Sequence, residues 1–399
     1  MRLSGLILIS LIGAASASPV TEAVFHRDVV VLESETATTP DEIALGRGAA
    51  LALRHRDAAA LAVLEPLRRT QSAREVQAAA CYALSDVYLR QTRYREAHDA
   101  LACVADQGQP LTGEPLQVLR DTAALAGEAA MTITPASGTL MARRDRAGLI
   151  RVPIAINDTH TRAVIDSDAS FSVISKAMAR HFGLRLLPDT LTIVTTARPD
   201  QPMQLAIADR LQFGDAVLTH VVFAVLPDAA VRFGQDYQME TVIGLPVLVA
   251  LGRIAYDSEA GTLQYGRSGS ASTRAPNLAL SGLDPFILVD AGQARLRLAL
   301  DTAADKTSLN AAAFAIVPKP ADGDHPVSWQ GAGGRAEDAH ASLLPSWRIR
   351  IGDTAVTLSR IPVLSQREDD RHGALGLDAL NSVKGWVLDF DAMCFWLEK

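Results

Sequence analysis

The sequence has 399 residues, of which 48% are hydrophobic, 21% charged and 5% aromatic. The length predicts two or three domains rather than a single core, and the composition is that of a folded protein rather than a disordered one. The net charge of −7 and the few aromatic residues argue against nucleic-acid binding, which needs a basic face or a base-stacking surface.

The N-terminal stretch has the three parts of a secretory signal peptide. Arg2 forms a short basic region, residues 6–13 form an apolar core, and Ala15-Ser16-Ala17 fits the small-residue cleavage pattern. The alternative interpretation is a buried N-terminal helix. No later stretch approaches the ~20 apolar residues that a membrane-spanning helix needs. We therefore expect a signal peptide at 1–17 and a mature protein that is soluble and exported, either periplasmic or secreted.

Residues 40–131 are rich in Ala, Leu and Arg at helical spacing. Apolar and small side chains repeat every three or four residues on both sides of a polar turn at 91–93, which predicts a helical hairpin. The upstream stretch "ALGRGAALALRHRDAAALAVLEPL" has a similar pattern, and a further helix is expected at 113–131. The region resembles tetratricopeptide repeats. Two interpretations stay open: a module that binds a protein partner, or a helical cap packed on the rest of the chain.

The chain contains three cysteines, Cys81, Cys103 and Cys394. No C-x-x-C pair occurs, so the cysteines form no metal or redox motif. An exported protein can form disulfides, and Cys81 and Cys103 lie in one helical region and could pair. The alternative is that all three are small buried apolar residues.

From about residue 149 the pattern changes to short runs rich in Val, Ile, Leu and Thr, separated by turn residues. This pattern predicts an all-β lobe at 149–266 and a second β lobe at 278–399. The Gly/Ser/Pro-rich segment at 267–277 is expected to link the two lobes.

The two β segments repeat one another. "RAVIDSDASFSVIS" matches "RLALDTAADKTSLN", so that Asp166 aligns with Asp301. Gly244 lies 78 residues after Asp166, and Gly376 lies 75 residues after Asp301. A further glycine and a further aspartate recur at similar offsets in both segments. Landmarks in one order at nearly constant spacing predict an internal duplication.

Each half offers one aspartate on a tight turn directly after an apolar strand. Pairing of the halves about a pseudo-two-fold axis would bring Asp166 and Asp301 together, and two adjacent carboxyls share one proton. The ionised carboxylate can act as a general base toward water, while the protonated carboxyl polarises a peptide carbonyl. The duplicated loops therefore predict peptide-bond hydrolysis.

The sequence resembles the retropepsin-like aspartic protease family. That family has an apolar strand leading into Asp-Thr-Gly or Asp-Ser-Gly, then a flap hairpin, then an apolar-apolar-Gly segment that braces the active-site loop. The matching segments here are Asp166-Ser167-Asp168-Ala169 and Asp301-Thr302-Ala303-Ala304 for the first element, and Val242-Ile243-Gly244 and Ala374-Leu375-Gly376 for the last. The resemblance implies a multidomain α plus all-β chain, in which helical hairpins precede two similar retropepsin-like β-barrel lobes arranged as a bilobed acid-protease fold.

The resemblance also implies roles for individual residues. Asp166 and Asp301 would be catalytic, and Ser167 and Thr302 would cross-brace the two loops. Gly244 and Gly376 would brace the loops, no cofactor or metal would be needed, and a monomer would bind its polypeptide substrate in the cleft between the lobes. The flap of the second half would lie in "SWQGAGGRAED", formed by Trp329, Gly331, Gly333 and Gly334. Its counterpart in the first half, "VTTARPDQPM", contains no glycine.

Both active-site loops lack the third-position glycine of the family. Ala303 is a small change, but Asp168 either adds a third carboxyl beside the pair or points into solvent. If Asp168 points inward, it should raise the pKa values of the pair by like-charge repulsion. An outward Asp168, with the two carboxyls within hydrogen-bond reach, would favour catalysis.

Four interpretations of the loops stay open. The first is a working aspartic-type endopeptidase, and it is the one we expect. The second is a catalytically degenerate protein that binds peptides or proteins in the cleft. The third is a divalent-cation site formed by Asp166, Asp168 and a nearby carboxylate such as Asp305. The fourth is a pair of aspartates that only cap turns.

Overall fold

The computed structural model describes residues 18–34, 37–69, 72–195, 197–198, 200–233, 236–267, 272–292, 294–317, 324–366 and 371–398. The expected signal peptide at 1–17 lies outside the described residues, as do residues 268–271 of the expected linker. Among the helices that are described, none combines the length and the apolar character required to cross a membrane.

The N-terminal part of the described chain is helical. Its helices are α1 (Pro19–Phe25), α2 (Val29–Leu32), α3 (Pro40–Leu53), α4 (Asp57–Arg69), α5 (Arg74–Arg90), α6 (Tyr94–Asp106) and α7 (Gly113–Leu125). A capping box between Thr39 and Glu42 starts α3. A disulfide between Cys81 and Cys103 joins α5 to α6, which resolves the open question about these two cysteines.

The helices pack as successive hairpins around a leucine-rich core. Leu45, Leu64, Leu84 and Leu101, one from each of α3 to α6, are almost completely buried. A glycine permits the close contact between α3 and α4, because a Cβ on Gly48 would lie 2.6 Å from the Leu64 side chain. The likeness to tetratricopeptide repeats therefore holds at the level of paired helices.

The helical region differs from the prediction at both ends. The short helices α1 and α2 precede the predicted region, and α7 ends at Leu125 instead of continuing to residue 131. The chain leaves the helix at its C-cap, Ala126, and β-branched residues at 132–134 then pair with a strand of the first lobe. Strand formation with a distant partner overrides helical spacing here.

The first β lobe is built from strands that begin before residue 149. They are β1 (Thr132–Thr134), β2 (Gly138–Met141), β3 (Arg143–Arg144), β4 (Ile150–Ile156), β5 (Thr159–Ile165), β6 (Ser172–Ser175), β7 (Arg185–Ile193), β8 (Gln201–Phe213), β9 (Ala216–Leu226), β10 (Arg232–Phe233), β11 (Tyr237–Gln238), β12 (Thr241–Ile243), β13 (Arg253–Asp257) and β14 (Thr262–Tyr265). Two helices, α8 (Lys176–His181) and α9 (Leu245–Leu251), lie between them.

The second β lobe follows the same plan. Its strands are β15 (Leu278–Ser281), β16 (Asp284–Ala291), β17 (Ala294–Leu300), β18 (Ser308–Asn310), β19 (Val327–Gly331), β20 (Gly334–Asp338), β21 (Ser342–Ile351), β22 (Thr354–Leu364), β23 (Gly373–Leu375), β24 (Gly385–Asp389) and β25 (Cys394–Glu398). One short helix, α10 (Leu377–Leu380), follows β23 as α9 follows β12.

The strand order shows that the lobes are copies. In the first lobe the order β4-β5-β12-β6-β9-β8 closes through pairing of β8 with β4. In the second lobe the order β16-β17-β23-β18-β22-β21 closes through pairing of β21 with β16. Each lobe is thus a closed six-stranded barrel with corresponding strands. The predicted fold class and the predicted internal duplication are confirmed.

A shared sheet joins the lobes. Its order is β2-β14-β13-β24-β25, with β13 of the first lobe antiparallel to β24 of the second. Trp386, Phe390 and Phe395 are almost completely buried at this junction. Backbone hydrogen bonds and apolar burial therefore fix the two barrels relative to each other.

The helical region packs on both barrels. On the second lobe, the Arg54 guanidinium donates to the carbonyl of Leu278 at 2.7 Å, and the Arg56 guanidinium donates to the carbonyl of Asp391 at 3.1 Å. On the first lobe, Arg185 of β7 donates to Glu128 at 3.1 Å. These contacts agree with the interpretation of the region as a cap on the β lobes.

Candidate active site

Asp166 and Asp301 begin equivalent loops, directly after β5 and β17. The backbone N–H of Asp166 donates to the carbonyl of Ile243, and that of Asp301 donates to the carbonyl of Leu375, both at 3.1 Å. Ile243 and Leu375 end β12 and β23, which run parallel to β5 and β17. Each aspartate is therefore held at the same point of its barrel.

The two loops are cross-braced by Ser167 and Thr302, as the resemblance implied. The N–H of Ser167 donates to Thr302 Oγ1 at 3.0 Å, and the N–H of Thr302 donates to Ser167 Oγ at 3.2 Å. The Thr302 hydroxyl donates to the carbonyl of Ile165 at 2.9 Å, and the Ser167 hydroxyl donates to the carbonyl of Leu300. Both side chains are completely buried. Four hydrogen bonds thus fix one loop against the other.

Gly244 and Gly376 lie tightly against the two loops. A Cβ on Gly244 would approach the backbone oxygen of Ala169 to 2.5 Å. A Cβ on Gly376 would approach the carbonyl carbon of Lys306 to 2.5 Å. Only a residue without a side chain fits at either position, which gives the bracing role predicted for these glycines a steric basis.

Two hydroxyls that sequence reasoning missed complete this support. Ser172 Oγ accepts the N–H of Gly244 at 3.2 Å, and Thr307 Oγ1 accepts the N–H of Gly376 at 3.1 Å. Thr307 in turn donates to the Asp378 carboxylate. The signal was present in the alignment of the halves, because Ser172 and Thr307 each lie six residues after the loop aspartate.

The two loop aspartates interact electrostatically. Burial and the negative charge of Asp301 raise the pKa of Asp166 well above the usual range for a carboxyl, against the effect of backbone N–H groups. Burial also raises the pKa of Asp301, opposed by the N–H groups of Ala303 and Ala304 and by Arg371. Two carboxyls in this condition retain a proton that an exposed aspartate would lose.

Asp168 turns inward. Its N–H donates to Asp166 Oδ1 at 3.0 Å, and its own Oδ1 is buried without a hydrogen-bond partner among the described residues. Burial and the carboxylates of Asp301 and Asp284 raise the pKa of Asp168 well above its usual range, while Arg371 opposes the change. The outward orientation that would have favoured catalysis is not observed. The raised pKa means that Asp168 gives up its proton less readily than an exposed aspartate.

The predicted flap of the second lobe is the hairpin β19–β20. It carries Trp329 on one strand and pairs Gly331 with Gly334 at its tip. Gly333 and Gly334 have φ of 90° and 128°, which favours glycine. The N–H of Gly333 donates to the carbonyl of Ala230 in the first lobe at 2.8 Å.

The two predicted flap segments meet. A Cβ on Gly333 would lie 2.9 Å from Thr195 Oγ1 and 3.1 Å from Gln201 Oε1. Thr195 belongs to the glycine-free segment "VTTARPDQPM", which connects β7 to β8. The glycine-containing tip of the second lobe thus rests on the glycine-free segment of the first.

The geometry gives the divalent-cation interpretation no support. Within the described parts of the chain, no group of three or more His, Cys, Asp or Glu side chains is arranged to hold a metal ion. Asp305, the third ligand considered from the sequence, is exposed.

Comparison with known proteins supports the resemblance stated from the sequence. The family model described as "Aspartyl protease" matches residues 152–247, which include the Asp166 loop and Gly244. A crystal structure of a retropepsin-like aspartic protease from Rickettsia conorii is similar at 14% identity and a TM-score of 0.26, over 34% of this chain and 92% of that chain. No curated protein matches the sequence. The aspartyl protease match agrees with the predicted resemblance, and it lies in the first lobe.

Proposed function

We propose that the protein is an aspartic-type endopeptidase that hydrolyses peptide bonds with a water molecule activated between Asp166 and Asp301. The observation that carries this proposal is the cross-braced pair of equivalent loops, since it holds together the two loops that carry Asp166 and Asp301, one from each barrel. The aspartyl protease match of residues 152–247 supports it from the sequence side.

The environments of the two carboxyls suggest separate roles. Asp301 Oδ1 accepts two backbone N–H bonds of 2.8 Å, and Arg371 further favours its ionised form. Asp166 Oδ1 accepts the N–H of Asp168 at 3.0 Å, and the charge of Asp301 disfavours its ionised form. Asp301 is therefore assigned as the general base that takes a proton from water. Asp166 is the acid that hydrogen-bonds the substrate carbonyl and then protonates the leaving amine.

The substrate in this proposal is a polypeptide bound in the cleft between the barrels, beneath the flap. A monomer suffices, because one chain supplies both aspartates and both loop supports. The segment at 1–17 would direct export to the periplasm or the exterior, as its charge, apolar core and cleavage pattern indicate. No cofactor is required by this chemistry.

The second candidate is a catalytically degenerate protein that binds peptides in the same cleft. The observation that favours it is the inward Asp168, since a side chain now occupies the position of the family's glycine. Under this alternative, the barrels and the helical region hold a partner polypeptide without cutting it.

Incubation of the mature protein with a diverse peptide mixture, from acidic to neutral pH, tests the proposal. Products are read by mass spectrometry for the wild type, Asp166→Asn, Asp301→Asn and the exposed control Asp305→Asn. Cleavage by the wild type and the control that disappears in both loop variants is the expected result. Intact peptides at every pH, with folding verified by circular dichroism, would contradict the proposal and favour the binding protein.

A further inference from the structure

The turn between α1 and α2 of the helical region contacts the strand that leads to Asp301. Arg297 lies in β17, four residues before Asp301, and its side chain is buried. Its guanidinium donates to the carbonyl of His26 at 3.1 Å and forms an ion pair with the Asp28 carboxylate at 3.7 Å. A distant part of the chain therefore holds the catalytic strand from outside the barrel.

This turn is itself fixed within the helical region. Arg27, at the centre of the turn, is buried and has a left-handed backbone conformation with φ of 49°. Its guanidinium donates to Asp86 of α5 at 3.0 and 3.2 Å and to Glu114 of α7 at 3.1 Å. Because two further helices hold Arg27, the contact with the catalytic strand is anchored in the body of the helical region.

Arg297 also strengthens the strand pairing that holds Asp301. Its backbone N–H donates to His372 Nδ1 at 3.0 Å, and its carbonyl accepts the N–H of His372 at 2.8 Å. His372 directly precedes β23, which pairs with β17 through two residue pairs. Leu375, at the end of β23, accepts the N–H of Asp301. The bonds of Arg297 therefore extend a short pairing that fixes the backbone of Asp301.

The first lobe offers a comparison within the same chain. Arg162 corresponds to Arg297 in the alignment of the two halves, because "RAVID" matches "RLALD". Arg162 is exposed, and its guanidinium donates to the carbonyl of Arg151 in its own barrel at 3.0 Å. The same residue type at the same position is thus exposed in one lobe and covered by the helical region in the other.

We propose that Arg297 is a positioning residue through which the helical region holds the Asp301 loop in its active geometry. This inference rests on the proposed function, in which Asp301 is the general base. A general base must stay within hydrogen-bond reach of the water that it activates, and a misplacement of about 1 Å can lower a rate by roughly 10²-fold. The helical region is then a part of the catalytic unit and not a separate module for binding partners.

Kinetics of peptide cleavage by the mature protein test the inference. Arg297→Met should lower kcat at least about tenfold and change KM by less than about twofold, because the loop moves while other substrate contacts remain. Arg297→Lys keeps a donor for the His26 carbonyl and should recover most of the loss. Arg297→Gln, whose polar side chain is shorter, is a second variant in case the methionine variant does not fold. Arg162→Met is the matched control and should keep the kinetics of the wild type.

Hydrogen exchange read by mass spectrometry is a second measurement that needs no cleavage. In Arg297→Met the backbone amides of residues 298–304 should exchange at least about tenfold faster, the range expected for loss of a hydrogen bond from a charged group. The equivalent residues 163–169 of the first lobe should exchange as in the wild type. Arg162→Met should leave both segments unchanged.

The outcomes separate this inference from the proposed function. If the wild type cleaves peptides, an unchanged kcat in folded Arg297→Met overturns the inference, and so does an equal loss in Arg162→Met. Faster exchange of the same size in both lobes would show a general loss of stability and also overturns it. If the wild type cleaves nothing, the proposed function fails and exchange alone decides. Faster exchange confined to 298–304 then supports positioning of the loop by the helical region, and unchanged exchange overturns it.

Discussion

Replacement of Thr302 by Val should weaken the junction of the two active-site loops. The hydroxyl accepts the N–H of Ser167 at 3.0 Å and donates to the carbonyl of Ile165 at 2.9 Å. Valine has nearly the same size, so the substitution opens no cavity. It does leave two completely buried backbone groups of the opposite loop without their partner.

The magnitude follows from those two groups. A buried donor or acceptor left unsatisfied costs about 1–3 kcal/mol, so the two groups together should reduce the free energy of unfolding by roughly 2–6 kcal/mol. Thr357→Val is the matched control, because Thr357 lies in strand β22 with its side chain exposed. A surface substitution of this kind should change stability by less than about 0.5 kcal/mol.

Urea unfolding followed by tryptophan fluorescence is the assay, since Trp347 and Trp386 are buried in the β part of the chain. Cleavage of a model peptide, once one is identified, provides a second readout, which should fall with the stability. The reasoning fails if Thr302→Val unfolds at the same urea concentration as Thr357→Val. Ser167→Ala completes a double-mutant cycle, in which the two loop substitutions should be less than additive because both act on the same junction between the loops.

Three further predictions concern the glycines, the carboxyls and the disulfide. Gly244→Ala should lower the free energy of unfolding by roughly 1–3 kcal/mol, because its Cβ would lie 2.5 Å from backbone oxygens. Gly127→Ala is the control, since its Cβ would meet no atom within 4 Å. Equal melting temperatures for the two variants would contradict this prediction. Asp166→Asn should raise the melting temperature near neutral pH and change it little in acid. The raised pKa of Asp166 contributes stability that is fully present below the unfolded-state pKa of about 3.9 and is lost as pH rises through the folded-state pKa. A difference independent of pH would refute that reasoning. Replacing Cys81 and Cys103 together by Ala should destabilise the helical region by about 3 kcal/mol, since the disulfide closes a loop with a sequence separation of 22 residues. A thermal unfolding transition, followed by far-ultraviolet circular dichroism, that is the same as in the wild type would contradict this prediction.

The duplicated framework was visible in the sequence because it depends on residues that few others can replace. Gly244 and Gly376 occupy positions where a Cβ would meet backbone atoms at 2.5 Å. Asp166 and Asp301 directly follow strands whose apolar residues are buried in corresponding barrels. Such positions keep both their residue type and their spacing, so the alignment of the two halves located them without structural information.

Long-range pairing could not be predicted in the same way. Strand β13 pairs with β24, which begins more than a hundred residues later, and the two form the sheet that joins the lobes. The sequence of neither strand identifies the strand with which it pairs, because any apolar strand has a similar pattern. The short helices α1 and α2 were missed for a related reason. Seven and four residues are too few to show a helical period, and such helices depend on tertiary packing.

The orientation of the Asp168 side chain could not be predicted from the sequence either. The charges that act on it include those of Asp284, Asp301 and Arg371, which come from separate segments of the other lobe. The sequence alone does not distinguish an aspartate at this position that faces solvent from one that faces Asp166 and Asp301. The sequence also did not decide whether Cys81 and Cys103 form a disulfide, since helical spacing is equally consistent with a disulfide and with two buried thiols.

Duplication within one chain explains how an inward Asp168 can be tolerated. In a symmetric homodimer every residue occurs on both sides of the axis, so an aspartate at this position would bring two extra carboxyls to the catalytic pair. Here the second lobe has Ala303 instead, and only one carboxyl is added. Burial and the neighbouring carboxylates raise the pKa of that carboxyl, which favours its neutral form beside Asp166 and Asp301. Asymmetry between the lobes thus limits the added carboxyl to one side of the axis, while the Asp301 loop keeps a small residue at the equivalent position.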